Sequence, residues 1–286
     1  MPRTLIACCL ALSLGLALAP ARALAEDGRL PLWEVGAGVG ALTLPDYPGS
    51  DQTDNYVVPV PYLVYRGEIF KADKDGMRAR FLDNPRWELV MSLGGTPPVR
   101  SRDSDTRRGM PDLSAAIELG PELRVHLLRD AEDEKSRTWE VNFHLPVRHS
   151  VTKYEGRFHH VGNIAYPHLN AKRKFHVMGE LWEVDADLGA YFNSHNYHRY
   201  FYQVLPQYET PQRRAYDPGG GYGGWEGSFY TTKDFGRWHL AGFVTYGSIG
   251  GASFEDGPLI RRDFTLSAGL ALTYVFWVSE STVPAP

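Results

Sequence analysis

Alternation with a period of two residues constrains this chain more than any other property of its sequence. Phe264, Leu266, Ala268, Leu270, Leu272, Tyr274 and Phe276 share one parity, and Thr265, Ser267, Gly269, Ala271 and Thr273 the other. Successive side chains of a strand point to opposite faces, so this segment is a strand with one apolar face. Trp182, Val184, Ala186, Leu188, Ala190 and Phe192 repeat the pattern against Glu183, Asp185, Asp187 and Asn193. Trp139, Val141, Phe143, Leu145 and Val147 do so against Glu140, Asn142, His144 and Arg148, and Leu119, Leu123, Val125 and Leu127 against Gly120, Glu122, Arg124 and His126. A face that carries so many charges needs water or opposite charge.

A soluble sandwich buries its apolar face, whereas an outer-membrane barrel turns that face to lipid and its polar face to the lumen. Three features favour the barrel. The segments run to about 12 to 16 residues, against the five or six of an ordinary strand and enough for a tilted membrane crossing. Trp33, Trp87, Trp139, Trp182, Trp238, Tyr274, Phe276 and Trp277 fall near segment ends, as interfacial aromatics do. The amino terminus also reads as an export signal. Arg3 precedes the apolar stretch Leu5 to Ala19, and Ala23-Leu24-Ala25 offers a small-x-small cleavage site before Glu26.

Residues 1–25 are therefore expected to be a cleaved signal peptide. The expected domain is a single transmembrane antiparallel up-and-down β-barrel over 26–286, ending in a short periplasmic tail. Strands are expected near 33–44, 56–66, 86–95, 112–128, 137–150, 158–173, 179–193, 219–233, 237–250 and 261–277. A shorter hairpin within 68–82, turning at Lys74-Asp75-Gly76, brings the count to about twelve; without it the alternative is ten. The longer connections 96–111, 194–218 and 251–260 are expected outside and the short turns in the periplasm, except that the short connection 151–157 is assigned outward by parity. Both cysteines, Cys8 and Cys9, lie in the leader, so the exported chain has neither a disulfide nor a thiolate ligand. The formal net charge is −4, and loss of Arg3 and Arg22 with the leader makes it −6, which argues against nucleic acid as a partner.

The run Gly36-Ala37-Gly38-Val39-Gly40-Ala41, then Pro45-Asp46-Tyr47-Pro48-Gly49-Ser50, Pro59-Val60-Pro61-Tyr62 and Tyr65-Arg66-Gly67, resembles the start of the MipA/OmpV family of outer-membrane proteins. Gly257-Pro258-Leu259-Ile260-Arg261 and Ser267 to Tyr274 are similar to the family's last loop and strand. The resemblance marks Pro45, Tyr47, Gly49, Pro59, Pro61, Tyr65, Arg66 and Gly67 as family-motif residues. It implies an outer-membrane barrel in contact with lipid and lipopolysaccharide. It also implies a scaffold that holds a lytic transglycosylase together with a murein-synthesising penicillin-binding protein. Family members end on an aromatic, whereas nine residues, Val278 to Pro286, follow Phe276-Trp277 here.

The residues themselves point to no catalytic centre and no cofactor. No G-x-S-x-G elbow occurs, and Ser228 and Ser248 have no adjacent base. His195-Asn196-Tyr197-His198 and His159-His160 could be metal ligands, but loop position and the lack of a completing set favour surface histidines. The expected lumen-lining residues are Glu122, Arg124, Glu140, His144, Arg148, Glu183, Asp185 and Asp187. They either neutralise one another in a closed bore, the favoured reading, or line a narrow channel for small cationic solutes. Tyr200, Tyr202, Tyr208, Tyr216 and Tyr222 suit adaptable contact with a sugar or protein.

Overall fold

Long alternating segments can satisfy their backbone groups only by pairing side by side, and they do so throughout the computed structural model. It describes residues 29–67, 70–73, 76–79, 82–84, 86–132, 136–177 and 180–284; the expected leader, residues 1–25, and the turn residues 74–75 lie outside them. The strands are β1 (Arg29–Pro31), β2 (Trp33–Pro45), β3 (Thr53–Arg66), β4 (Phe70–Asp73), β5 (Gly76–Ala79), β6 (Leu82–Asn84), β7 (Trp87–Thr96) and β8 (Ala116–Arg129). They continue as β9 (Trp139–Tyr154), β10 (Arg157–Ala165), β11 (His168–Val177), β12 (Glu180–Asn193), β13 (Gly221–Phe235), β14 (Trp238–Ser248), β15 (Phe264–Val278) and β16 (Thr282–Pro284). Among the described residues the one α-helix, α1 (His195–Tyr202), precedes β13.

The wall is an antiparallel up-and-down sheet in which tall strands pair with their sequence neighbours and β15 returns to pair with β2. β10 and β11 act as one crossing interrupted at Tyr166-Pro167, since both pair with β9 and with β12. Among the described residues ten crossings are tall, and the short hairpin β4–β5 falls within the 68–82 segment that brings the sequence count to twelve.

Side-chain burial is inverted relative to a soluble sheet. Leu270 is 63% exposed, Leu188 58% and Leu119 51%, while Glu122 and Asn142 are each 4% exposed. Apolar residues thus face outward and polar ones inward, the arrangement a lipid surround makes favourable. The glycine run of β2 has a steric reason. A Cβ at Gly38 would overlap the Leu272 carbonyl on β15, so the closing ladder needs glycine there.

Two features sit at opposite rims. At the short-turn rim β1 pairs antiparallel with β16, and Arg29 donates to the Thr282 hydroxyl (2.7 Å) and carbonyl (2.8 Å). Beside this clasp the Ser279 N–H donates to the Trp33 carbonyl (2.9 Å) and the Trp33 N–H donates to the Ser279 hydroxyl (3.2 Å). The segment from Val278 to Pro284 is therefore anchored to the start of the wall through β16. At the other rim, segments 46–52, 97–115, 194–220 and 249–263 fold over the opening. Their buried side chains Tyr47, Val99, Leu113, Phe201, Tyr202, Val204, Ile249, Phe254 and Leu259 form the apolar core of the molecule.

Candidate functional site

The site has two storeys, a lid and the inner face of the wall beneath it. Lid residues come from loops without periodicity, so aromatic packing and buried polar contacts must define their arrangement. Tyr202 stacks on Phe254 (centroids 3.9 Å, 10°) and meets Tyr47 edge-on (5.8 Å, 84°). The Tyr47 hydroxyl donates to the Leu259 carbonyl (2.9 Å) and lies 2.7 Å from the Thr106 hydroxyl, while Tyr202 donates to the Pro48 carbonyl (3.0 Å). Gly49 sits at φ +89°, a left-handed conformation that suits glycine, and its carbonyl accepts from the backbone N–H groups of Arg261 and Arg262. The two segments that carry the family resemblance, near 45–50 and 257–261, therefore meet at the centre of the lid.

Two buried arginines, which have no carboxylate within ion-pair distance among the described residues, stitch the loops. Arg107 donates to the Phe201 carbonyl at the end of α1 (2.8 Å), where the helix dipole is negative. Arg213 donates to the carbonyls of Thr106 (2.7 Å), Arg108 (3.1 Å) and Tyr208 (2.8 Å). Burial lowers the pKa of Arg107, yet its guanidinium also donates to the Pro111 carbonyl (3.2 Å) and the Ser101 hydroxyl (3.3 Å), so protein dipoles solvate the charge.

The sequence reading of His198 as a surface histidine is corrected here. It is fully buried beside Phe254. Its Nδ1 donates to the Gly219 carbonyl (2.7 Å), with the Ser253 hydroxyl 3.1 Å away, and its Nε2 accepts from the Asn193 amide (3.2 Å). His195 remains half-exposed, paired with Asp217 (3.4 Å), which also holds Arg199 (3.1 Å). His160 contacts His149 (3.1 Å) on the outer face of β9 and β10, and His149 reaches Asn163 (2.9 Å). Among the described residues no three His, Asp or Glu side chains converge on a metal position.

Burial, with repulsion from His195 as the smaller charge effect, pulls the His198 pKa below its ordinary value, against the hydrogen bond to Gly219. The folded lid therefore refuses a proton that an open lid accepts at about pH 6.5. Lid stability is full above that pH and falls as pH drops toward the lower folded value. Amide protection factors over 194–220 should fall by up to about tenfold per pH unit between pH 6.5 and 5. His198→Gln should flatten that slope; an equal slope in the variant would assign the effect to the neighbouring Asp217, His195 or other groups.

Beneath the lid, charged side chains are held by one another. One Glu122 oxygen accepts from Arg124 Nε (2.5 Å) and from His144 Nδ1 (3.1 Å). The His144 ring lies 4.9 Å from that of His168, which stacks on Tyr166, which stacks on Tyr191, whose hydroxyl donates to Glu226 (3.1 Å). Arg148 lies 3.7 Å from Glu118, which also accepts from Tyr197 of α1 (3.1 Å), so lid and wall are joined. Asp185 lies 3.8 Å from Lys172, Asp187 accepts from Asn170 (2.7 Å), and Glu140 pairs with Arg137 (3.0 Å). Glu183 is half-buried on the same strand parity, and its carbonyl accepts from Thr231.

Sequence reasoning missed Glu118 as a partner of Arg148, and Tyr166, His168, Tyr191 and Glu226 altogether. A lapse in alternation at Tyr166-Pro167 is the signal that could have found the first two. It also missed α1 and the lid core. Tyr202 is buried in that core, and Tyr200 donates to the Ser114 carbonyl (2.5 Å). These two tyrosines bind loop to loop and are not presented for an external ligand. At the opposite rim the motif residue Arg66 pairs with Glu34 (2.6 Å) and donates to the Pro31 carbonyl (2.7 Å), fastening β3 to the clasp.

No curated protein matches the sequence. Among solved structures, one described as a bacterial polysaccharide outer membrane secretin is similar with a TM-score of 0.42 at 8% identity, over 85% of this chain and 99% of that one. A family profile described as MltA-interacting protein MipA matches residues 37–276, from the glycine run of β2 to the last turn of β15. That span takes in most of β2 and β15, every tall strand between them and all four lid loops, and the chain belongs to the MltA-interacting protein (MipA) family.

Proposed function

We infer that the protein is exported by residues 1–25 to the outer membrane of a Gram-negative cell and serves there as a docking partner of murein-processing enzymes. Its apolar belt meets lipid and lipopolysaccharide, its lid faces outside, and the rim bearing the β1–β16 clasp faces the periplasm. The observation that carries this reading is closure. The bore holds acids matched to neighbouring cations and amides, and its mouth is filled by an apolar core. A barrel satisfied within offers partners its rims. The family description names interaction with MltA, which fits the lytic transglycosylase that the sequence resemblance implies, and a penicillin-binding protein bound at the same rim would couple murein cleavage to synthesis. No catalytic centre or cofactor is part of this role.

The test is binding of the refolded mature chain to an immobilised lytic transglycosylase. Saturable binding is expected, and removal of residues 279–286, which dismantles the clasp, should weaken it at least tenfold while leaving the barrel folded. In a planar bilayer the same protein should be silent. Steady conductance that changes in the Asp185→Asn/Asp187→Asn variant would replace the scaffold with a channel.

A further inference from the structure

Strand register sets two histidines opposite each other inside the bore. His144 of β9 and His168 of β11 are direct partners in one ladder, on the polar parity that looks inward. Cross-strand partners on one face have Cβ atoms about 5 Å apart, and here the ring centroids are 4.9 Å apart with the planes at 58°. Gly189, the partner of His168 on β12, leaves the room this needs. A Cβ there would fall 2.4 Å from the Cβ of His168.

Hydrogen bonding fixes which nitrogen of each ring carries the proton. His144 Nδ1 faces a Glu122 oxygen (3.1 Å), and His168 Nδ1 faces the Tyr166 carbonyl (2.9 Å). A carboxylate and a carbonyl only accept, so both Nδ1 atoms donate and both Nε2 atoms keep a lone pair. Among the described residues neither Nε2 has a donor. An imidazole whose Nδ1–H is held by a carboxylate or a backbone carbonyl is oriented to ligate a metal through Nε2. The spacing fits one shared ion. With nitrogen about 2.0 Å from the metal, two such rings have centroids about 4.5 Å apart at a right angle and about 5.2 Å at the tetrahedral angle. The observed separation lies between these limits. Charge fits as well. Arg124 neutralises Glu122, but Asp187, diagonal to His168 across the β11–β12 ladder, meets only the Asn170 amide (2.7 Å) among the described residues. Asn170, two residues from His168 on the same face, is 5% exposed and its Oδ1 has no donor among the described residues. A metal-bound water is a donor of the kind that oxygen lacks.

We propose that His144 and His168 bind one divalent transition-metal ion through their Nε2 atoms, with water in its remaining positions and Asp187 balancing its charge. Imidazole ligands, with both cysteines in the expected leader, select a borderline ion, and the affinity order of nitrogen sites makes Cu(II) tighter than Zn(II). The ion ties β9 to β11 just past the interruption at Tyr166-Pro167. The site goes beyond the docking role and does not depend on the murein partner.

The tag-free mature chain, refolded in detergent micelles, tests this with copper(II) chloride as the probe. It carries His149→Asn/His160→Asn, which removes the stacked histidine pair of the outer face as a competing site. One Cu(II) should bind saturably per chain, and pulsed electron paramagnetic resonance should show modulation from the remote nitrogens of two imidazoles. Zinc chloride should compete at least tenfold more weakly. His168→Phe keeps a ring against Tyr166 and should cut the signature to one imidazole while weakening binding at least tenfold. Asp187→Asn should weaken binding at least threefold and keep both imidazoles. A parent chain with no saturable binding, or with fewer than two imidazoles on the ion, overturns the proposal without any variant, so a misfolded His168→Phe does not shield it. A two-imidazole signature that persists in folded His168→Phe overturns it too. Transglycosylase binding should be the same in all these chains, so failure of the metal site leaves the scaffold reading standing, and the reverse holds.

Discussion

Alanine at Tyr202 is expected to melt the lid and leave the wall standing. The ring is 2% exposed, stacks on Phe254, meets Tyr47 edge-on and carries a hydroxyl that satisfies the Pro48 carbonyl. Replacing a buried aromatic by alanine costs about 3–5 kcal/mol in lost contacts and residual cavity. At about 1.4 kcal/mol per decade this amounts to a hundredfold or greater rise in lid opening. None of those contacts belongs to a wall ladder, so hydrogen exchange should accelerate over 97–115, 194–220 and 249–263 and stay slow over β15. Tyr202→Phe keeps the stack and loses one hydrogen bond, with an expected cost of about 1 kcal/mol. Uniform acceleration through lid and wall would mean that the two unfold as one unit.

Glu122→Ala should strike the wall itself. One carboxylate oxygen holds both Arg124 and His144 in a site where all three are nearly buried. Taking away the shared acceptor strands a guanidinium and an imidazole donor, and breaking a buried pair in this way costs about 3–5 kcal/mol. The loss should appear as a lower urea midpoint for the barrel in lipid vesicles. The double variant Glu122→Ala/Arg124→Met removes the stranded cation too and should recover most of the stability, because the penalty belongs to the uncompensated charge. If both variants are equally weak, packing and not charge pairing governs the site.

Parity explains why so much of the wall was legible. Leu188 and Leu270 face outward and Glu122 and Asn142 inward because a strand leaves only two directions for a side chain. Neighbour choice was less accessible. Glu122 meets Arg124 two residues along its own strand, but Arg148 meets Glu118 across a ladder whose register depends on the whole sheet. The lid was least legible of all. Tyr47 and Leu259 are 212 residues apart and share a hydrogen bond, yet neither lies in a periodic segment. The helix α1, HNYHRYFY, contains mostly indifferent helix formers and is held by Arg107 and by burial of Phe201 and Tyr202. The motif at 45–50 pointed to the right residues without saying what they do, since a loop's contacts lie outside its own sequence.

The ladder between β2 and β15 sets the order in which this molecule can be made. It pairs Glu34 with Val278, so the first tall strand must wait for nearly the whole chain to arrive. A contact of such long sequence separation carries a large loop-closure entropy, and topologies dominated by such contacts fold slowly. Until β15 docks, β2 is an unpaired edge open to wrong partners. The clasp of β1 with β16 then forms beside that ladder and lowers the chance that it frays. The segment after the closing strand thus latches the segment before the opening one, and a kinetic hazard of the topology ends in a finished rim.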